Sequence, residues 1–358
     1  MRVFGEVQNN NLVKGMVVKK LILGTFFSLM LMLNAAVAQT IDDGIAAYNA
    51  GDYAKAIEIW QPLAMNGDAQ AQYNIGVMLE KGIGVPQDYE KALMFYRSAS
   101  EKGHAAAQSN LGVLYANGLG VEKDVVEALR LYQISAERGS VLGQLNLGIA
   151  YVIGQGVEVN ATQGLKWLLL AADQGNAKAQ NNAAVLFRDG RGTEVNDEEA
   201  VRLFSSSAEQ GYSNGQVGLA GMYAQGRGVA KDIDLAMGWY LKAAEQGSAN
   251  AQMILATAYS QGLGIQVDLD EAFKWYSAAS RRGISQAQFE LGLMYAKGEA
   301  TSVDNIKAYM WWNISAYNGY ERANGNLKIV VKNMSEAEIS QAQEMSKTCF
   351  NSRYQDCK

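Results

Sequence analysis

The sequence predicts an all-α fold, an α-solenoid of about eight antiparallel helix pairs stacked side by side. Three observations carry this prediction. A glutamine returns every 36 residues, at Gln72, Gln108, Gln144, Gln180, Gln216, Gln252 and Gln288. Two glycine columns keep the same step, one from Gly82 to Gly298 and one from Gly103 to Gly319. Only two prolines interrupt a chain rich in alanine and glycine, which suits short helices joined by glycine turns. A period that does not slip over seven copies marks residues 70–321 as a tandem array.

Each copy divides into two helices. The first carries apolar or small residues at helical spacing, as in Ala107, Leu111, Gly112, Leu114 and Tyr115. Gly118 and Gly120 end it, because glycine enters the left-handed conformation at little cost. A short loop then meets Asp124, whose counterparts are Asp88, Asn160, Asn196, Asp232, Asp268 and Asp304. Asp and Asn at this point predict N-caps for the second helix. Glu127, Gln163, Glu199 and Glu271, three residues on, predict capping boxes. The second helix buries Ala128, Leu131, Tyr132 and Ala136 and stops at Gly139. Small residues in the Ala71 to Ala287 column let helices approach closely. The aromatics Trp167, Trp239, Tyr240, Trp275, Tyr276, Trp311 and Trp312 are expected to fill the space between pairs. One pair cannot cover its own apolar faces, so stability must come from stacking.

The ends depart from the period, as capping units should. Residues 39–69 read as a shorter N-terminal pair containing Tyr48, Ala56, Ile59, Trp60 and Gly67. Residues 322–358 form a C-terminal cap in which Ser335 and Glu338 predict a capping box opening a last helix to about Cys349. Before the array, Lys14, Lys19 and Lys20 precede the apolar stretch Leu21 to Leu33 and the small residues Ala36-Val37-Ala38. This is the pattern of a secretory leader over 1–38, cut after Ala38, with Met1 or Met16 as the start. The apolar stretch is short for a membrane span, and no cysteine follows the cut, so a periplasmic or secreted protein that does not span the membrane is expected. Without the leader the chain keeps 27 basic against 35 acidic residues and shows no basic stripe, which disfavours nucleic acid as a partner. Cys349 and Cys357 are the only cysteines. Export favours a disulfide between them; two free thiols are the other reading.

The pattern Ala-x-x-x-Leu-Gly-x-x-Tyr-x-x-Gly-x-Gly-Val-x-x-Asp-x-x-x-Ala-x-x-x-Tyr-x-x-x-Ala-x-x-Gly, from Ala107 to Gly139, resembles the Sel-1-like repeat, a relative of the tetratricopeptide repeat. The resemblance implies a right-handed superhelix and adaptor function: assembling membrane or envelope complexes, or meeting host proteins after secretion. A cysteine-rich branch of that family, with cysteines spaced eight apart, is associated with penicillin-type ligands. Cys349 and Cys357 share the spacing once only, which fits a C-terminal staple. The chain departs from the pattern at Ala184, Ala220 and Ala256 for glycine, at Gly164 for alanine, and at Ala300 for the second loop glycine, where a different turn is expected.

The sequence offers little chemistry. His104 is the only histidine, its counterparts vary, and it reads as an ordinary surface residue. One imidazole without a partner supports neither a catalytic triad nor a histidine metal site, and no cofactor is expected. The expected function is therefore binding of a protein or peptide, with a cell-wall (peptidoglycan or β-lactam) binder or hydrolase as the alternative. In the tetratricopeptide superhelix the first helices line the concave face. Mapping that pattern gives a first row of Tyr73, Ser109, Leu145, Asn181, Val217, Met253 and Phe289, with Leu293 from the next row. Val217, Met253, Phe289 and Leu293 are expected to form one apolar patch for an extended peptide or helix.

Overall fold

The computed structural model describes residues 39–357; the leader expected at 1–38 lies outside the described residues. The described chain contains 18 α-helices and a 3-10 turn at Val331–Asn333, with no strand among the described residues. It falls into two compact units that meet between Ala128 and Leu129. The first holds α1 (Ile41–Asn49), α2 (Tyr53–Met65), α3 (Ala69–Lys81), α4 (Tyr89–Glu101) and α5 (Ala105–Asn117), and α6 (Val125–Glu137) carries the division. The second continues through α7 (Val141–Ile153), α8 (Ala161–Asp173), α9 (Ala177–Asp189), α10 (Asp197–Glu209), α11 (Ser213–Gln225) and α12 (Ile233–Glu245). It ends with α13 (Ala249–Gln261), α14 (Leu269–Ser280), α15 (Ser285–Lys297), α16 (Asn305–Tyr317), α17 (Arg322–Val330) and α18 (Glu336–Asn351).

Within each unit every helix packs on its sequence neighbour, α1 to α5 in the first and α7 to α17 in the second, while α18 returns onto α16. Each unit is thus an α-solenoid stack with a core threaded between consecutive pairs. In the first unit the core is Ala56, Ile59, Trp60, Ala64, Ala71, Ile75 and Met78. In the second it includes Leu168, Leu186, Phe204, Met222, Leu255, Leu291 and Met310, all with almost no exposure. The aromatic column is less uniform than the sequence suggests. Tyr240, Trp275, Tyr276, Trp311 and Trp312 are buried, but Trp167 and Trp239 are only half-buried. A lysine ammonium lies over each of these two rings, at 5.9 Å (Lys166) and 3.9 Å (Lys242).

The helix boundaries follow from capping chemistry. Asp88, Asn160, Asn196, Asp232, Asp268 and Asp304 each accept the backbone N–H three residues on, as expected of the Asp/Asn column. Asp124 accepts from Val126 and Glu127. The boxes expected at Gln163, Glu199 and Glu271 do not close. Glu199 turns to Arg202 at 2.6 Å, and Glu271 accepts from Lys274 and from the indole of Trp275, because an ion pair on the same helix face is in reach. Reciprocal boxes do form at Thr40 with Asp43 and, as expected, at Ser335 with Glu338.

A second cap column starts the first helices. Asp68, His104, Ser140, Asn176 and Ser248 each accept from the N–H three residues on, whereas Tyr212 and Ile284 make no such bond. His104 is therefore not an ordinary surface residue. Its Nδ1 caps α5 at Ala107, Nε2 lies 3.0 Å from Gln70 Oε1, and the ring stacks on Tyr73 at 4.7 Å.

The glutamine column has a stitching role. Nε2 of Gln180 and Gln252 donates to the carbonyl eight residues back, at Ala172 and Ala244, in the last turn of the preceding second helix. Oε1 of Gln144, Gln180 and Gln216 accepts from Gln174, Gln210 and Gln246, thirty residues on, and Gln288 accepts likewise from Asn318. One buried amide thus ties three helices, which apolar packing alone would leave free to slide.

The loops explain the paired glycines. Gly82, Gly118, Gly154, Gly190, Gly226, Gly262 and Gly298 close the first helices in the left-handed conformation. The second glycine also approaches the preceding repeat. A Cβ on Gly192 would stand 2.4 Å from the carbonyl carbon of Ala161. Ala300 nevertheless keeps the left-handed turn, with φ 58°, so its loop is not a different turn. At the C-terminus the tail is pinned by the Cys349–Cys357 disulfide and by Tyr354 Oη donating to Asn318 Oδ1 at 3.0 Å.

Candidate functional site

Two of the clefts in the second unit are lined by residues of the predicted first row. One, of about 400 Å³, is lined from α9 by Asn181, Val185 and Arg188, and from α11 by Asn214, Val217, Gly218, Gly221 and Gln225. Met222 of α11, Phe204 of α10, Tyr240 of α12 and Asn250 of α13 complete it. The other, of about 640 Å³, is more apolar, with Met237, Met253, Ile254, Thr257 and Leu263 beside Lys231 and Gln286. Tyr240 belongs to both. No Asp or Glu lines either cleft among the described residues, although the protein as a whole carries more acidic than basic groups.

The predicted first row is divided among different settings. Asn181, Val217 and Met253 line the clefts. Asn181 is 7% exposed and donates to Asn182 Oδ1 at 3.1 Å, so it offers its edge alone. Leu145 does not face a cleft; it is buried in the core shared by α7 to α11. Phe289 is also buried, and Leu293 packs against the same cluster, which contains Tyr309, Trp312, Ala323, Val330 and Ala342. The four-residue apolar patch therefore does not exist as one surface. Residues of the C-terminal helices α17 and α18 belong to that cluster, and the same register is buried inside the array as well, at Ser109 and Leu145. Tyr73, in the first unit, is committed to the His104 stack, and burial raises its pKa.

Several cleft residues were not among those predicted. Asn214, Asn250 and Gln286 share a column three residues before the first row, one helical turn earlier on the same face. That spacing is the signal that would have found them. Arg188 was not predicted either; its guanidinium is paired with Asp189 at 2.7 Å and sits 5.9 Å over the Phe204 ring. Tyr240 read as a core filler, and its burial, at 8% exposure, agrees; the destination of its hydroxyl was not legible. Among the described residues no cluster of three or more His, Cys, Asp or Glu side chains is placed to hold a metal ion. No helix among them is long and apolar enough to cross a membrane.

Seven consecutive segments, 69–104, 105–140, 141–176, 177–212, 213–248, 249–284 and 285–320, match the Sel1 repeat profile, and the chain belongs to the Sel1 repeat family. No curated protein sequence matches it significantly. Among solved structures it is similar to a Sel1 repeat protein from Oxalobacter formigenes, with 29% identity over 84% of this chain and 92% of that one, at a TM-score of 0.64. It is also similar to a protective antigen present in uropathogenic Escherichia coli strains that displays an SLR fold. There the identity is 29% over 89% of this chain and 79% of the other, at a TM-score of 0.51. The family and its scaffold fold are those the repeat pattern implied.

Proposed function

We propose that this chain is an exported scaffold that holds a protein or peptide along the first-helix face of its repeats, as an adaptor in envelope assembly or as a secreted interaction factor. The observation that carries the proposal is the contrast between columns. Positions that stitch or pack the repeats are held constant, while those that line the clefts change from copy to copy: Asn181, Val217 and Met253 occupy one register with three different side chains. A repeat protein keeps what stacking requires and varies what a ligand reads. The leader pattern over 1–38 supports export, and the disulfide suits an oxidising compartment. The protective antigen among the similar structures fits the same reading. In this proposal residues 39–69 and 322–358 are caps that protect the ends of the array, which leaves the seven central copies for recognition.

The test is capture of envelope proteins by crosslinking in the native cell with the wild type and with a Val217→Asp, Met253→Asp double variant. Both side chains are only partly buried, so the variant is expected to keep its helical circular dichroism and lose its partners. Equal capture by the folded variant would place the binding surface elsewhere. Phe289 is unsuitable for this purpose, because a carboxylate in its buried site would unfold the C-terminal cap.

A further inference from the structure

The hydroxyl of Tyr240 has lost its protein partners at a place where two clefts meet. Two other tyrosines of this column satisfy their buried hydroxyls locally. Tyr96 Oη donates to Glu80, sixteen residues before it, at 2.6 Å, and accepts from Asn110, fourteen residues after it, at 3.1 Å. Tyr276 Oη bonds Ser260, again sixteen residues before it, at 3.1 Å, with Thr257 also facing it. Around Tyr240 the corresponding positions are Ala224, Gly221 and Ile254, none of which carries a polar side chain. Its hydroxyl makes no hydrogen bond among the described residues, and burial is the sole influence that raises its pKa. The ring is more than nine-tenths buried, while the hydroxyl opens on a cleft, where an entering ligand can take its O–H.

Gly221 gives that donor its access. Other repeats place valine here, at Val77, Val113 and Val185. A Cβ on Gly221 would meet nothing closer than the Tyr240 hydroxyl itself, at 3.7 Å, so no packing demand explains the glycine. Its absence of side chain leaves a slot from the amide-lined cleft down to Tyr240. Beside it, Met253, Ile254 and Thr257 make an apolar wall. Lys231 lines the apolar cleft and Arg188 the amide-lined one, the latter paired with Asp189; neither cleft contains an acid, and Asp234 and Asp268 line the adjoining cleft that shares Met237. A segment entering here meets amides able to pair with a peptide backbone, an apolar wall, an O–H donor and the Lys231 ammonium.

We infer, building on the peptide-scaffold reading above, that the Gly221 slot is the anchor point for an extended peptide of acidic and aliphatic residues, one of whose oxygens accepts the Tyr240 O–H while an aliphatic side chain fills the Met253 cleft. The bound segment supplies the acceptor that Glu80 gives Tyr96 and Ser260 gives Tyr276, and its carboxylates face Lys231 and Arg188.

The experiment selects phage-displayed random peptides on the purified protein and then measures labelled winners by fluorescence anisotropy against three variants. Gly221→Val restores the residue of other repeats and fills the slot, Tyr240→Phe removes the hydroxyl alone, and Tyr276→Phe is the control at an internally bonded tyrosine. Selected peptides are expected to be enriched in Asp, Glu, Leu and Ile. Gly221→Val should weaken them by at least about tenfold and Tyr240→Phe by about threefold to tenfold, with Tyr276→Phe unchanged. Thermal melts give an independent readout: Tyr240→Phe should hold or raise the melting temperature, while Tyr276→Phe lowers it. No enrichment, enrichment in Lys and Arg, or undiminished binding to both Gly221→Val and Tyr240→Phe overturns the anchor. If binding survives those two variants but fails in Val217→Asp, Met253→Asp, the scaffold reading stands without the anchor; if it survives all of them, both fall.

Discussion

At the residue scale the loops turn on backbone conformation and close approach, and these two demands separate cleanly at equivalent positions. Ala300 holds φ 58° where six other repeats have glycine in the left-handed region. An alanine there costs about 1–2 kcal/mol. Ala300→Gly is therefore expected to stabilise by about 0.5–1 kcal/mol, part of the gain being offset by chain entropy. Gly192→Ala should lose more than about 2 kcal/mol, since its φ is 75° and the new methyl would strike the backbone of Ala161. Urea melts of the two variants check both signs. His104 gives a third expectation. It must be neutral at Nδ1 to cap α5, and burial, the largest influence, pulls its pKa below the usual 6.5, with Asp68 acting in the opposite direction. A base whose folded pKa is depressed contributes stability that is complete above its unfolded value and drains away as pH falls below it. His104→Asn, the residue found at the same place in Asn176, keeps a cap that does not titrate. The wild type should lose more stability than this variant between about pH 7 and about pH 5; parallel pH profiles would refute the cap assignment. The loop glycines were legible because their identity repeats. The role of His104 was not, because Asp68, Ser140 and Asn176 do the same work with different side chains.

At the element scale the helix pairs owe their register to buried amides as much as to apolar fit. Gln180 donates to Ala172 O at 3.2 Å and accepts from Gln210 at 2.7 Å, so Gln180→Leu leaves polar groups of two other helices without partners. The expected loss is about 2 kcal/mol. Gln252 keeps its bond to Ala244 O, but its Oε1 is buried without a partner. Gln252→Leu removes that unsatisfied oxygen along with the bond, and its cost should be smaller by about 1 kcal/mol. Chemical denaturation of both variants compares them directly, and equal losses would mean that the second bond contributes nothing. The helices themselves were readable from the spacing of alanine and leucine and from the Asp/Asn caps. The glutamine column was visible as a marker, yet its two partners lie eight residues before and thirty after, in other helices. Only the folded stack brings these together. The same is true of Glu199 and Glu271, whose local pattern signalled capping boxes while Arg202 and Lys274 were within equal reach.

At the scale of the whole molecule, constant repeat length makes the period itself the unit of stability. What the period defines was legible, and which face the neighbours cover was not: Phe289 and Leu293 read as open surface, yet their register is buried at Leu145 inside the array and at the C-terminal end packs with residues of α17 and α18. The same logic predicts the response to removal of one complete repeat inside the second unit. Deleting residues 177–212 joins Asn176 to Ser213 in phase. Asn176, whose side chain now caps α9, would take the N-cap position of α11, where Tyr212 supplies no side-chain bond. Gln216 would find Ala172 O in place of Ala208 O, eight residues back in the shortened chain, and Gly218 would face Leu168 instead of the Phe204 ring. The Asp197 partner of Arg227 is lost, a half-exposed pair that contributes at most about 1 kcal/mol. Because stability in a stacked array is close to a sum of repeat and neighbour terms, the shortened protein should fold with unchanged helicity per residue and a moderately lower midpoint. A deletion that is not a multiple of 36 residues, such as 177–196, removes α9 with its loop and joins α8 through Asn176 directly to α10, so two second helices follow one another with no first helix between them. That chain should fail to give a cooperative melt by circular dichroism. If the in-phase deletion were equally unfolded, or the out-of-phase one equally cooperative, nearest-neighbour stacking would not be what holds this molecule together.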